Sequence, residues 1–320
     1  MSVRLKLPRW DGLPGDSGRA LARVDAWAAS AAMAELVGEF GGKAASRGPD
    51  VLLDYLDAFA AAHWDFRAGG ERNLARAPQF APRREAVIQE ATAALELDCD
   101  AAPSRRSYDA VLMTGGMVRA AIVKPRYVRV LLDAGLDARS IVFLGAFRRF
   151  GGDEAEVAAR LGISGVGEFD AMVSGVDAAF GPLGEPAADG WAHDNLHLSW
   201  RELAWRQAGP AVSVLAAPSS DASRRANTAD TLWFWAQRHA AGTRSVLLVT
   251  TPVYVPYQNA VAVEVLGLRH GLSVETVAVS PAASDLGADT QEFLSSHKLQ
   301  ELRSAIQGMR GLRAALTERL

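Results

Sequence analysis

Five short apolar runs punctuate the chain after residue 108: DAVLMT (109–114), SIVFLG (140–145), AVSVLAA (211–217), SVLLVTT (245–251) and SVETVAV (273–279). Four of them are nearly unbroken rather than alternating, the pattern of parallel strands covered on both faces. Helical stretches intervene at about 118–134, 153–161, 223–240 and 255–270, and a closing helix spans about 290–318. Alternating β and α units imply right-handed crossovers. The prediction is a doubly wound, mainly parallel α/β sheet over residues 108–320. The segment 163–207 breaks the rhythm with one amphipathic stretch, Phe169 to Phe180, and then GPLGEPAADG, and it reads as an insertion over the site.

Residues 1–107 have a different period. Leu21, Val24, Trp27, Ala28, Ala31, Ala32 and Leu36 recur at helical spacing. Pro49-Asp50 opens a second helix with Val51, Leu52, Tyr55, Leu56 and Phe59 on one face, and a third runs from about Arg84 to Leu95. The Gly/Pro/Arg-rich stretch HWDFRAGGERNLARAPQFAP between the last two reads as an ordered loop. This region is expected to be a helical extension or cap.

Apolar residues make up 49% and charged residues 22%, so the chain can build a core and wholesale disorder is not expected. A formal net charge of −3 gives no global pull toward nucleic acid or anionic membranes. No apolar run reaches the length of a signal peptide or a membrane span, so a soluble, cytoplasmic protein without a membrane anchor is expected. The one cysteine, Cys99, excludes an internal disulfide. Its acidic neighbours Glu96, Asp98 and Asp100 disfavour a thiolate. Homo-oligomerisation stays open.

In open α/β sheets ligands bind at the carboxyl ends of the strands, so the loops there hold the candidate site. After the first run, Gly115 and Gly116 allow close backbone approach and precede a helix N-terminus that favours an anion. These loops supply Arg119, Arg148 and Arg149, together with Arg224 and Arg225, as donors suited to a phosphate or carboxylate. Glu154 and Asp230 are the candidate catalytic carboxylates, with Asn227, Thr228, Thr250 and Thr251 beside the ligand. Plainer roles stand beside these: Glu154 suits the positive end of its own helix, and Asn227 and Thr228 suit a cap. No GxxxxGK[ST] or GxSxG motif occurs, and Gly165-Val166-Gly167 lacks both the third glycine and the preceding strand of a dinucleotide fingerprint.

The order of the loops resembles the SanA, ElyC and YdcF family of bacterial proteins. The matching pieces are VLMTGG (111–116) with Arg126 and Leu131 to Gly135, IVFLGAFRRFGG with Asp153-Glu154-Ala155, Arg225 to Asp230, and LLVTT with Val253 to Tyr257. The resemblance implies a Rossmann-like fold and a nucleotide-type ligand such as S-adenosylmethionine. It also implies, in some members, a role in envelope metabolism, which is not carried to a soluble chain. The family's His position holds Tyr254 and its Arg position Tyr257, both kept as ligand-binding candidates.

The insertion contains WAHDNLHLSWRE (191–202). His193 and His197 have i, i+4 spacing, which on a helix would let both reach one metal, but Asn195, Ser199 and two tryptophans give no clean helical face. A loop with hydrogen-bonded histidines is the plainer expectation, and no metal is assigned. In a milder functional reading the lid lends His193 or His197 as an acid–base group. Together these readings give an enzyme that binds a small anionic or nucleotide-type ligand and catalyses group transfer or hydrolysis. The rival is a non-catalytic ligand-binding or regulatory protein.

Overall fold

The computed structural model describes residues 4–44, 47–66, 78–206 and 209–319. The elements in chain order are α1 Asp16–Ala28, α2 Ala31–Glu39, α3 Pro49–His63, α4 Pro82–Ala94, β1 Ser107–Thr114, α5 Val118–Asp133, β2 Asp137–Gly145, α6 Glu154–Arg160 and α7 Glu168–Phe180. There follow β3 Ala187–Trp191, β4 Trp200–Trp205, β5 Ala211–Ala216, α8 Thr228–His239, β6 Ser245–Thr250, α9 Val255–Ala262, β7 Ser273–Ala278, α10 Pro281–Ser284 and α11 Ser295–Thr317. Most of the 67–82 connection lies outside the described residues. No described helix is long and apolar enough to cross a membrane.

The chain divides into two compact units. The first comprises residues 1–99, 252–268 and 292–320. Its helices start where local chemistry dictates: Ser30 caps α2 by accepting from the Met33 N–H, and prolines open α3 and α4, where a missing N–H costs nothing. Trp27, Leu36, Leu56, Trp64, Ile88 and Met309 are fully buried in its core. The Trp27 indole satisfies its N–H on the Leu95 carbonyl at 3.2 Å. The segment after β6 joins this core through Val253, Ala260, Val263 and Leu268.

The second unit, residues 100–251 and 269–291, holds the sheet. Among the described residues it has seven strands in the order β3-β4-β5-β2-β1-β6-β7. All neighbours from β5 to β7 pair in parallel, and β3 and β4 form an antiparallel hairpin at one edge. The chain runs from β1 outward through β2 to β5, then returns to the other side of β1 for β6 and β7. This is the doubly wound, Rossmann-like order, and its switch point lies between β1 and β6. The central strands bury alternate side chains on opposite faces: Val111, Ile141, Val214 and Leu247 join one apolar cluster, and Leu112, Leu144, Leu215 and Leu248 are equally buried on the other side.

The 163–207 stretch resolves into α7 and the β3–β4 hairpin. Helix α7 packs on α5 at unusually close range: a Cβ on Gly175 would lie 1.8 Å from the Ala121 carbonyl oxygen. Pro125, inside α5, has no N–H to give to that carbonyl, so the oxygen is left to meet the glycine.

Candidate functional site

The β1–α5 turn sits at the switch point, where a backbone anion site was expected. Two of its donors are already engaged by the protein itself. The Gly116 N–H donates to Glu168 Oε1 at 3.0 Å, and the Val118 N–H donates to Glu154 Oε1 at 3.1 Å. Both carboxylates are buried, and Arg148 lies between them. Arg148 spends all five of its N–H donors: Nε on Glu168, Nη1 on Glu154 and the Arg149 carbonyl, Nη2 on Glu154 and the Gly116 carbonyl. Arg148 and Glu154 therefore form a closed clasp between the loops after β1 and β2. The glycines serve this clasp: a Cβ on Gly115 would fall 2.2 Å from Glu168 Oε1.

The two carboxyls are tuned in opposite directions. Burial would raise Glu154, but the Arg148 side chain and the Gly151 and Val118 N–H groups outweigh it and hold the carboxyl below its ordinary range. Glu168 is pushed up, because burial outweighs the pull of Arg148, Arg225 and the Gly116 N–H.

The loop after β5 is organised around Asp230. Asn227 caps α8 by accepting from the Asp230 N–H at 3.0 Å, and the Asp230 carboxylate accepts the Asn227 N–H in return at 2.9 Å. Arg224 Nη1 also binds Asp230 at 2.6 Å. Burial opposes ionisation of Asp230, but Arg224, the Ser220 side chain and the Asn227 N–H keep it below its ordinary range. Thr228 begins the helix, and its carbonyl accepts from the Thr231 hydroxyl. Glu154 and Asp230 thus belong to separate ion pairs. Among the other sequence candidates, Arg119 Nε donates to the Asp289 carbonyl and Arg126 Nη1 to the Asp285 carbonyl, so both tie down the segment after β7. Arg149 and Arg225 are exposed at the rim. Thr250 is fully buried and accepts from the Thr114 hydroxyl at 3.2 Å, with Thr251 half-buried beyond it. Tyr254 and Tyr257 pack against the core of the helical unit, Tyr254 edge-on to Phe293.

His193 and His197 do not share a helix. His193 lies in the β3–β4 loop, where its Nδ1 accepts from the Asn195 N–H at 2.8 Å and its ring meets Trp191 edge-on. His197 lies in a short 3-10 turn, Leu196–Leu198. Among the described residues no group of three His, Cys, Asp or Glu side chains is arranged to hold a metal. The loop does reach the rim: the Ser219 N–H donates to the His197 carbonyl at 2.7 Å, and Asn195 Nδ2 donates to the Ala222 carbonyl at 2.9 Å.

Two residues here carry no signal in the sequence. Glu168 reads as an acidic residue at the start of an amphipathic helix. Lys124 reads as an ordinary helix lysine, yet it is fully buried, with Nζ on the Thr114 carbonyl at 2.5 Å and the Gly115 carbonyl at 3.1 Å.

A family model described as the Rv3785 N-terminal domain matches residues 13–96. Over nearly its whole length the chain is similar to "Uncharacterized protein Rv3785" of Mycobacterium tuberculosis, at 32% identity over 331 residues that cover 93% of this chain and 91% of the relative. "Uncharacterized protein Mb3814" of Mycobacterium bovis matches with the same identity and coverage. No solved structure matches. These matches overturn the resemblance to the SanA, ElyC and YdcF family. The four loop pieces that suggested it are short and none is specific by itself, and the S-adenosylmethionine and envelope expectations lose their basis with it.

Proposed function

The chain belongs to the Rv3785 family, and on that premise we propose that its sheet unit binds a small anionic or nucleotide-type ligand at the strand-end rim. Group transfer or hydrolysis is the reaction class. The exposed Arg149 and Arg225 hold the anion, and Glu168 carries the proton. The observation behind this reading is the place of Glu168. Its carboxyl is buried where the loops after β1 and β2 meet, and it lies within the electrostatic reach of Arg225 from the loop after β5. A carboxyl whose hold on its proton is raised by burial is suited to general acid–base work. Glu154 is unsuited to that task because four donors already saturate it.

A second reading, ligand binding without catalysis, is favoured by the locked state of Glu154 and Asp230. A thermal-shift panel of nucleotides, sugar phosphates and inorganic phosphate tests both. A ligand at about 100 times its Kd adds about 2.7 kcal/mol, which is readily detected. The reading expects a shift that weakens in R149A and R225A. No shift with any of these compounds would remove it. If the ligand still binds to E168Q and turnover is lost, the enzyme reading holds. If wild type binds but turns over none of the compounds that shift it, the non-catalytic reading replaces it.

A further inference from the structure

Lys124 lies in the second turn of α5 and is fully buried, although burying an ammonium is expensive. Its Nζ donates to the Thr114 carbonyl at 2.5 Å, to the Thr114 hydroxyl at 3.0 Å and to the Gly115 carbonyl at 3.1 Å. The Thr114 hydroxyl in turn donates a hydrogen bond to Thr250 Oγ1 across the switch point. The third bond matters most. The Gly115 carbonyl and the Gly116 N–H are the two ends of one planar peptide unit. That N–H is the one that donates to Glu168 Oε1 at 3.0 Å. An ammonium thus grips the oxygen end of the same peptide whose hydrogen end serves the carboxyl.

We propose that Lys124 is a positioning residue for Glu168, acting through the Gly115–Gly116 peptide. This inference rests on the reading of Glu168 as the proton carrier. Hydrogen bonds in series polarise one another, so a cation on the carbonyl strengthens the N–H as a donor. The turn is closely packed at both glycines: a Cβ on Gly116 would lie 2.9 Å from Ala120 Cβ, and one on Gly115 would strike Glu168 itself and come 3.0 Å from the Gly145 backbone. The other charges facing Glu168 are Arg148 from the loop after β2, with Glu154 behind it, and Arg225 from the loop after β5. Those two arginines act on the carboxyl directly, whereas Lys124 acts through the backbone.

The test is the titration of the Glu168 Cδ resonance by carbon NMR in the full chain without ligand. In K124M the midpoint moves to higher pH than in wild type, and in K124R, which keeps a cation and its donors, it moves less. A purely structural Lys124 lowers the melting temperature of K124M and leaves the midpoint where it was, and that result overturns the proposal. If K124M does not fold, the wild type and E168Q still decide. The Lys124 Cε resonance carries an inflection at the Glu168 midpoint in wild type and loses it in E168Q. A wild-type Cε resonance without that inflection overturns the proposal. Because no ligand is present, this coupling stands or falls separately from any turnover lost in E168Q.

Discussion

Arg148 grips Glu154 with both terminal nitrogens, and the carboxylate it holds also accepts the Val118 N–H at the start of α5. The protein's own side chain therefore fills the place where a helix N-terminus at the end of β1 would receive an anion. Removing Arg148 leaves two buried carboxyls facing each other. Loss of one partner of a buried pair costs about 3–5 kcal/mol, so R148M is expected to lose stability on that scale. Urea denaturation measures it. A loss below about 1 kcal/mol would mean that solvent or another cation replaces the guanidinium.

The opposed tuning of Glu154 and Glu168 gives opposed pH dependences. Glu154 has a lowered folded value, so its contribution is present above its unfolded value of about 4.3 and is lost as pH falls through the folded value. Glu168 has a raised folded value, so its contribution is present below about 4.3 and is lost as pH rises through the folded value. The advantage of wild type over E154Q should therefore shrink on acidification. Its advantage over E168Q should shrink as pH rises. Denaturation midpoints of the three proteins across a pH series check both signs, and parallel curves for the two variants would refute the assignment.

Four of the five parallel strands were legible because burial on both faces favours apolar side chains: Val111 to Met113, Ile141 to Leu144 and Val246 to Val249 are apolar at every position. The β3–β4 hairpin was not. Every residue of β3 is exposed, so no alternation marks it, and β4 gains its order by pairing with β5. The candidate site was legible as a set of loops but not as a set of contacts. Arg148 and Glu154 were found, yet their mutual saturation is a tertiary fact. Lys124 and Glu168 escaped because a charged residue at a helical position reads as solvated until packing buries it.

Asn227 was read from the sequence both as a ligand contact and as a cap, and the reciprocal bonds with Asp230 make it a cap in this structure. Loss of such a cap costs about 1 kcal/mol. N227A is expected to lower the melting temperature of the free protein while leaving unchanged the further rise caused by any compound that binds the rim. A variant that keeps its stability and loses the ligand-induced rise would restore the ligand role.

The close crossing of α5 and α7 yields a prediction with its own control. A methyl group on Gly175 would meet the Ala121 carbonyl at 1.8 Å and its carbon at 2.8 Å, and both are backbone atoms that cannot rotate away. G175A must therefore push the two helices apart, and overpacking of this kind costs about 1–3 kcal/mol or more. Gly18 in α1 is also helical, but a Cβ there meets nothing within 4 Å. G18A should gain about 0.5–1 kcal/mol from the higher helix propensity of alanine. Equal and small effects of the two substitutions on the melting temperature would show that α5 and α7 have slack at their crossing. Opposite signs are expected, because Pro125 leaves the Ala121 oxygen with no helical N–H and the glycine backbone closes over it.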